Sequence, residues 1–139
     1  MYRPTFRIGL FNGLSDTILS QAVMTELLDC LVKIDMLQLR AKKCPPIYQS
    51  GVRYYREDFG DDDWQDVYST LAVGYGDCED LACWRAAELN LIGIPTLADF
   101  TCNYLENGKQ EFHIFVSIQP CKQFPHGKIE DPSVILLSR

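Results

Sequence analysis

Apolar residues recur at three- and four-residue spacing through the first third of the chain. They predict a long amphipathic helix that starts after Ser15 or Asp16 and runs to about Lys42. A basic cluster near residue 42 suits the helix C-terminus, and Pro45-Pro46 ends the pattern. The apolar positions are Ile18, Ala22, Leu27 or Met24, Leu28, Leu31, Ile34 or Val32, and Leu39.

After Gly93 the period changes from helical to two. Residues 94–104 and 110–118 predict strands joined by a hairpin turn at 106–109, and residues 128–131 predict a third short strand. In the second strand Phe112, Ile114, Val116 and Ile118 share one face, and Glu111, His113, Phe115 and Ser117 share the other. His113 is therefore expected to lie away from the main apolar face.

A second helix is predicted from Cys78 to about Asn90. Asp77 suits the N-cap, Asp80 can complete a capping box, and Gly93 suits the end. The irregular stretch 45–75 predicts a short helix over 64–71. Residues 52–56 fit a short strand or a helical turn equally well. Residues 1–14 are expected to form an extended arm, and residues 45–135 a core, of one domain over 1–139.

Composition narrows the class of protein. The chain has 139 residues, a net charge of −6 and 47% hydrophobic residues, which is typical of one globular domain. The negative charge argues against nucleic acid as a partner. No apolar stretch is long enough to span a membrane, and no secretory signal is evident. The six cysteines are expected to be reduced, since the sequence predicts a cytoplasmic setting.

Cys78, His113 and Asp131 occur in the chain order nucleophile, base and orienter. A cysteine in the first turn of a helix lies near free N–H groups that favour a thiolate. The neighbouring carboxylates of Asp77, Glu79 and Asp80 oppose ionisation. Neighbouring residues of a strand point to opposite faces, so only one of Glu130 and Asp131 can orient the histidine.

Two further site hypotheses stay open. The oxyanion donor is the backbone N–H of Cys78, or a group of Trp64 or Gln65. The acidic residues Asp77, Glu79 and Asp80 are candidate calcium ligands, but their spacing is not that of an EF-hand, and helix-dipole complementarity and solubility are the favoured explanation. Thiol chemistry itself requires no cofactor.

The run Gly76-Asp77-Cys78-Glu79-Asp80-Leu81-Ala82, a strand histidine at His113 and the run Glu130-Asp131-Pro132-Ser133 resemble the transglutaminase-like cysteine protease superfamily. Its bacterial and phage members carry the Gly-Asp-Cys-Glu-Asp signature. The resemblance covers roughly residues 47 to 135. It implies an α+β, papain/transglutaminase-like fold, with a long N-terminal helix and a cysteine-bearing helix on a small antiparallel sheet.

The resemblance also implies a function. Cys78, His113 and Asp131 would form the triad of a cysteine peptidase or amidase that acts through a thioester on a protein or peptide substrate. The alternatives are amide-to-amine transfer, as in a transglutaminase, and a non-catalytic virion structural or assembly protein on the same fold. A phage-encoded chain would act in the host cytoplasm or in the virion, with phage structural proteins among its partners.

Overall fold

The computed structural model describes residues 17–56, 63–104, 106 and 110–137. In chain order the elements are α1 (Thr17–Ala41), a 3-10 turn (Ile47–Gln49), β1 (Arg53–Tyr54), α2 (Val67–Val73), β2 (Tyr75–Gly76), α3 (Cys78–Leu91), β3 (Thr96–Tyr104), β4 (Gln110–Ile118), β5 (Lys128–Glu130) and α4 (Pro132–Leu137). The predicted arm at 1–14 and most of the predicted turn at 106–109 lie outside the described residues.

Helix α3 lies at the centre of the molecule. Ten of its fourteen residues are buried, and it contacts α1 on one side and strands β3 and β4 on another. Leu81 and Trp84 of α3 are fully buried. The small residues Ala82, Ala86 and Ala87 are also fully buried, and they let neighbouring elements approach closely. The core therefore forms around the helix that carries Cys78.

The larger sheet is antiparallel, in the order β3–β4–β5. Ile114, Val116 and Ile118 of β4 are buried in the same apolar cluster as α3, whereas His113 and Phe115 are half-buried. This alternation confirms the predicted faces of the strand. The chain is α+β, with a small antiparallel sheet packed on helices. No described helix combines the length and the apolar character needed to cross a bilayer.

Three local features differ from the sequence-based picture or complete it. Residues 53–54 form a strand, β1, which pairs in parallel with β2. Helix α2 begins at Val67 rather than at residue 64, because the Asp66 side chain caps it by accepting from the N–H of Ser69. Helix α4 was not predicted, although Pro132 suits its first position.

Candidate active site

Cys78 is the first residue of α3, as predicted. Asp77 is the N-cap, and its side chain and that of Asp80 form the predicted capping box. Gly76 precedes the cap where no side chain fits, since an added Cβ would lie 3.0 Å from the Cβ of Asp80 and 3.2 Å from Leu81 Cδ2. The Gly-Asp-Cys sequence thus has a local structural reason, because the backbone before the buried N-terminus of α3 has little room for a side chain.

The thiol of Cys78 is held protonated by its surroundings. The residue is 8% exposed, and burial is the main cause that raises its pKa well above the ordinary value. The charges of Glu79 and Asp77 raise the pKa further, and the sulfur lies 3.5 Å from Glu79 Oε2. These effects outweigh the favourable position at a helix N-terminus.

His113 and Asp131 meet directly. His113 Nε2 lies 2.6 Å from Asp131 Oδ2, and the two side chains are 43% and 25% exposed. The other carboxylate oxygen of Asp131 accepts from the N–H of Ser133 at 3.1 Å. One carboxylate thus binds the start of α4 and the imidazole together, and the orientation of the histidine ring follows from it.

The sulfur of Cys78 lies against the strand that carries this histidine. The backbone N–H of Ile114, the residue after His113, approaches the sulfur and lowers the pKa of the thiol, against the larger effects that raise it. Strand β3 occupies one edge of β4, and β5 pairs with β4 only from Val116 onward. The N–H that meets the sulfur therefore points away from β3, at the edge where β5 has ended. The sulfur and the imidazole flank the same short piece of β4.

Glu130 has a separate role from Asp131. Its carboxylate lies on the α3 side of the sheet, where Arg85 Nε donates to it at 2.7 Å and the Tyr48 hydroxyl donates at 2.6 Å. Although burial acts to raise the pKa of Glu130, these two hydrogen bonds lower it below the usual value. Only one of the two neighbours contacts His113, as the strand alternation predicts, and that residue is Asp131.

The acidic residues divide into two groups. Both oxygens of Asp80 accept hydrogen bonds, from the Gln65 backbone N–H at 2.7 Å, from the Gln65 side-chain amide at 3.2 Å and from the Asp77 N–H at 3.0 Å. Asp77, Cys78 and Glu79 bring one potential ligand atom each within 4.8 Å of one another. The cluster of potential ligand atoms thus contains Asp77 and Glu79 together with Cys78, while both oxygens of Asp80 accept hydrogen bonds.

The predicted oxyanion donors are already in use. The N–H of Cys78 donates to Asp77 Oδ1 at 2.7 Å. The amide of Gln65 donates to Asp80 and to the Tyr75 carbonyl oxygen, each at 3.2 Å. Trp64 packs against the core cluster that contains Cys78. The N–H of Cys78 and the amide of Gln65 would have to exchange their partners before either could bind a developing oxyanion.

Sequence reasoning missed Tyr54 and Arg85. Tyr54 pairs with Gly76 and packs on both core clusters. Its pKa is raised mainly by burial, and the charge of Asp77 adds to this effect. Arg85 follows Cys78 by seven residues, two helical turns along one face of α3, and this spacing is the signal that could have found it.

No protein-family model, curated protein or solved structure matches the chain in the comparisons made with each.

Proposed function

We propose that the protein is a thiol-dependent acyl-transfer enzyme, most simply a cysteine peptidase or amidase. The observation that carries the proposal is the 2.6 Å contact of His113 with Asp131. The next residue of the same strand, Ile114, has its backbone N–H near the Cys78 sulfur, where it lowers the pKa of the thiol. A nucleophile, a base and an orienting carboxylate are thereby supplied from three segments of the chain. The α+β arrangement of α3 on β3–β5 agrees with a papain/transglutaminase-like fold.

The chemistry starts from a neutral thiol. Asp131 accepts from the Nε2–H of His113, so Nδ1 is the nitrogen that takes the thiol proton as the sulfur attacks an amide carbonyl. The carboxylate stabilises the imidazolium that forms. The C–N bond then breaks, the imidazolium protonates the leaving amine, and a thioester remains on Cys78. Water, activated by the same imidazole, releases the acyl group; a substrate amine in place of water gives transamidation.

The acidic surroundings of the thiol suit this sequence of events. Because Glu79 and Asp77 raise the pKa of Cys78, ionisation and attack are expected to occur together, rather than from a resting thiolate. The mechanism uses no metal. Calcium at Asp77, Glu79 and Asp80 stays a prediction from the resemblance, to be tested by adding the ion and a chelator to the same assay.

One observation favours the non-catalytic alternative, a structural or assembly protein of a virion. A buried cysteine with a raised pKa also describes an inert core residue. The two functions differ in whether an acyl group is ever attached to the sulfur, and that difference is measurable.

The test is to incubate the protein with a peptide library that contains glutamine, with and without a labelled primary amine. Mass spectrometry then detects cleavage, deamidation, amine incorporation or an acyl adduct on Cys78. We expect Cys78→Ala to abolish every product, and Asp131→Asn to lower the rate by about two to four orders of magnitude. Cys121→Ala, a half-exposed cysteine in a turn, is the matched control and should keep full activity. Turnover that survives in Cys78→Ala would refute the assignment of the nucleophile.

A further inference from the structure

Helix α1 has two apolar faces, and only one of them faces the core of the molecule. Met24, Leu28, Leu31 and Val32 are buried in the main cluster. A second set follows the spacing four, three, four, three, four along the same helix. This heptad stripe consists of Val23, Leu27, Cys30, Ile34, Leu37 and Ala41.

The heptad stripe reaches solvent. Leu37 is 67% exposed and Ile34 is 41% exposed. Cys30 and Ala41 are also exposed, and Val23 and Leu27 are half-buried. In the part of the chain that the structure describes, the other apolar set of α1 packs into the core clusters, and the heptad stripe is not part of them.

We propose that the heptad stripe is a dimer interface, on which α1 of a second copy of this chain packs antiparallel. An alternating spacing of four and three residues is the pattern that keeps one seam facing a partner helix. The seam from Val23 to Ala41 spans about 27 Å. Antiparallel pairing sets Leu37 of one copy against Leu27 of the other, and Ile34 against Cys30.

Charge favours the antiparallel direction. The residues that border the stripe on its solvent side are Glu26, Lys33 and Arg40, so the seam is acidic toward its N-terminal end and basic toward its C-terminal end. Antiparallel pairing brings Glu26 of each copy to Arg40 of the other, and leaves one like-charge contact, between the two Lys33 side chains at the twofold axis. Parallel pairing would set Glu26 against Leu31 and Lys33 against Gln38, so it would form no such ion pair. The antiparallel direction also opposes the two helix dipoles.

A second copy also fits on energetic grounds. The helix is already held by the core, so association does not have to form it. The interface is isologous, so every apolar contact is made twice and the assembly closes at two copies.

The first experiment measures mass against concentration for the full chain, by sedimentation equilibrium. We expect a monomer–dimer equilibrium, and we expect Leu37→Glu to weaken it by about a hundredfold or more, since the buried charge enters the seam twice. Val134→Glu on α4 is the matched control, an aliphatic residue 65% exposed outside the stripe, and should leave the equilibrium unchanged. Circular dichroism of each variant confirms that the fold is kept.

The second experiment tests the direction of packing. Glu26→Lys and Arg40→Glu should each weaken the dimer, and the double variant should restore it. A short bismaleimide should join Cys30 to Cys30 in the dimer, as identified by mass spectrometry. A chain that stays monomeric at every concentration would overturn the proposal, as would a dimer that Leu37→Glu leaves intact or a double variant that fails to recover.

Discussion

The carboxyl group of Asp35, on α1, is fully buried. One oxygen accepts from the N–H of Val67 at 3.1 Å, at the first residue of α2. Burial is the main cause that raises the pKa of Asp35 from 3.8 to about 8, and the charges of Asp66 and Asp80 add to it. The folded protein therefore holds this proton at neutral pH, whereas the unfolded chain releases it.

This difference makes stability depend on pH. The contribution of Asp35 to the free energy of unfolding is fully present below about pH 4. It falls by up to about 1.4 kcal/mol per pH unit as the pH rises to about 8. We expect Asp35→Asn, which keeps the acceptor for Val67, to remove that slope. Urea unfolding near the two ends of the range measures it. Asp29→Asn, on the same helix and half-exposed, is the control; equal slopes in wild type and Asp35→Asn would contradict the prediction.

Glu79 controls the proton of the neighbouring thiol. Its charge is the second cause, after burial, of the raised pKa of Cys78. We expect Glu79→Gln to lower that pKa, and so to speed alkylation of Cys78 by iodoacetamide at neutral pH. The pH dependence of the labelling rate, followed on the Cys78 peptide by mass spectrometry, gives the result. Glu26→Gln, distant along α1, should change nothing; an unaltered rate in Glu79→Gln would show that burial alone governs the thiol.

Helix α3 supports both the core and the site, so its apolar side chains should carry much of the stability. Leu81 is fully buried one turn after Cys78, and it lies against Gly76. We expect Leu81→Ala to cost about 2–5 kcal/mol of unfolding free energy. Ile92 follows the helix and is 70% exposed, so Ile92→Ala should cost little. Chemical denaturation of both variants gives the two losses of unfolding free energy. If Leu81→Ala costs no more than Ile92→Ala, the cap rather than the buried face stabilises the helix.

Strand β5 is held on its helix side by the contacts of Glu130 with Arg85 and Tyr48. Since Asp131 is the next residue, we expect Glu130→Ala to disturb the contact of Asp131 with His113. The readout is the chemical shift of the His113 imidazole, measured by NMR at one fixed pH, which should move toward that of Asp131→Asn. Glu106→Ala, which changes an exposed glutamate in the turn region between β3 and β4, is the control. A His113 chemical shift identical to wild type would mean that Asp131 is positioned without Glu130.

The molecule as a whole is held by packing rather than by cross-links. None of the six cysteines forms a disulfide, and two of them, Cys78 and Cys83, are buried. The two apolar clusters share α3, so they should unfold together. We expect the melting temperature to be the same with and without dithiothreitol, as measured by calorimetry. A loss of stability on adding the reductant would reveal a disulfide between chains or within one.

The sequence by itself determined the local features of this protein. The helical spacing in α1, the capping pattern around Cys78 and the alternation through His113 each depend on neighbouring residues, so they could be inferred before any fold was known. The strand alternation also separated Asp131 from Glu130. Such features follow from short-range geometry, which period and capping chemistry encode directly.

Tertiary structure alone decided the rest. The parallel pairing of β1 with β2, the protonated state of Asp35, the engagement of Asp80 by Gln65 and the contact of the Cys78 sulfur with the Ile114 N–H all join segments far apart in the chain. The energies of these contacts and protonation states depend on burial. Burial depends on the assembled core, so it cannot be deduced from neighbouring residues in the sequence. Local spacing can identify a thiol, an imidazole and a carboxylate as candidates, but only packing determines which groups make contact and which of them stay protonated.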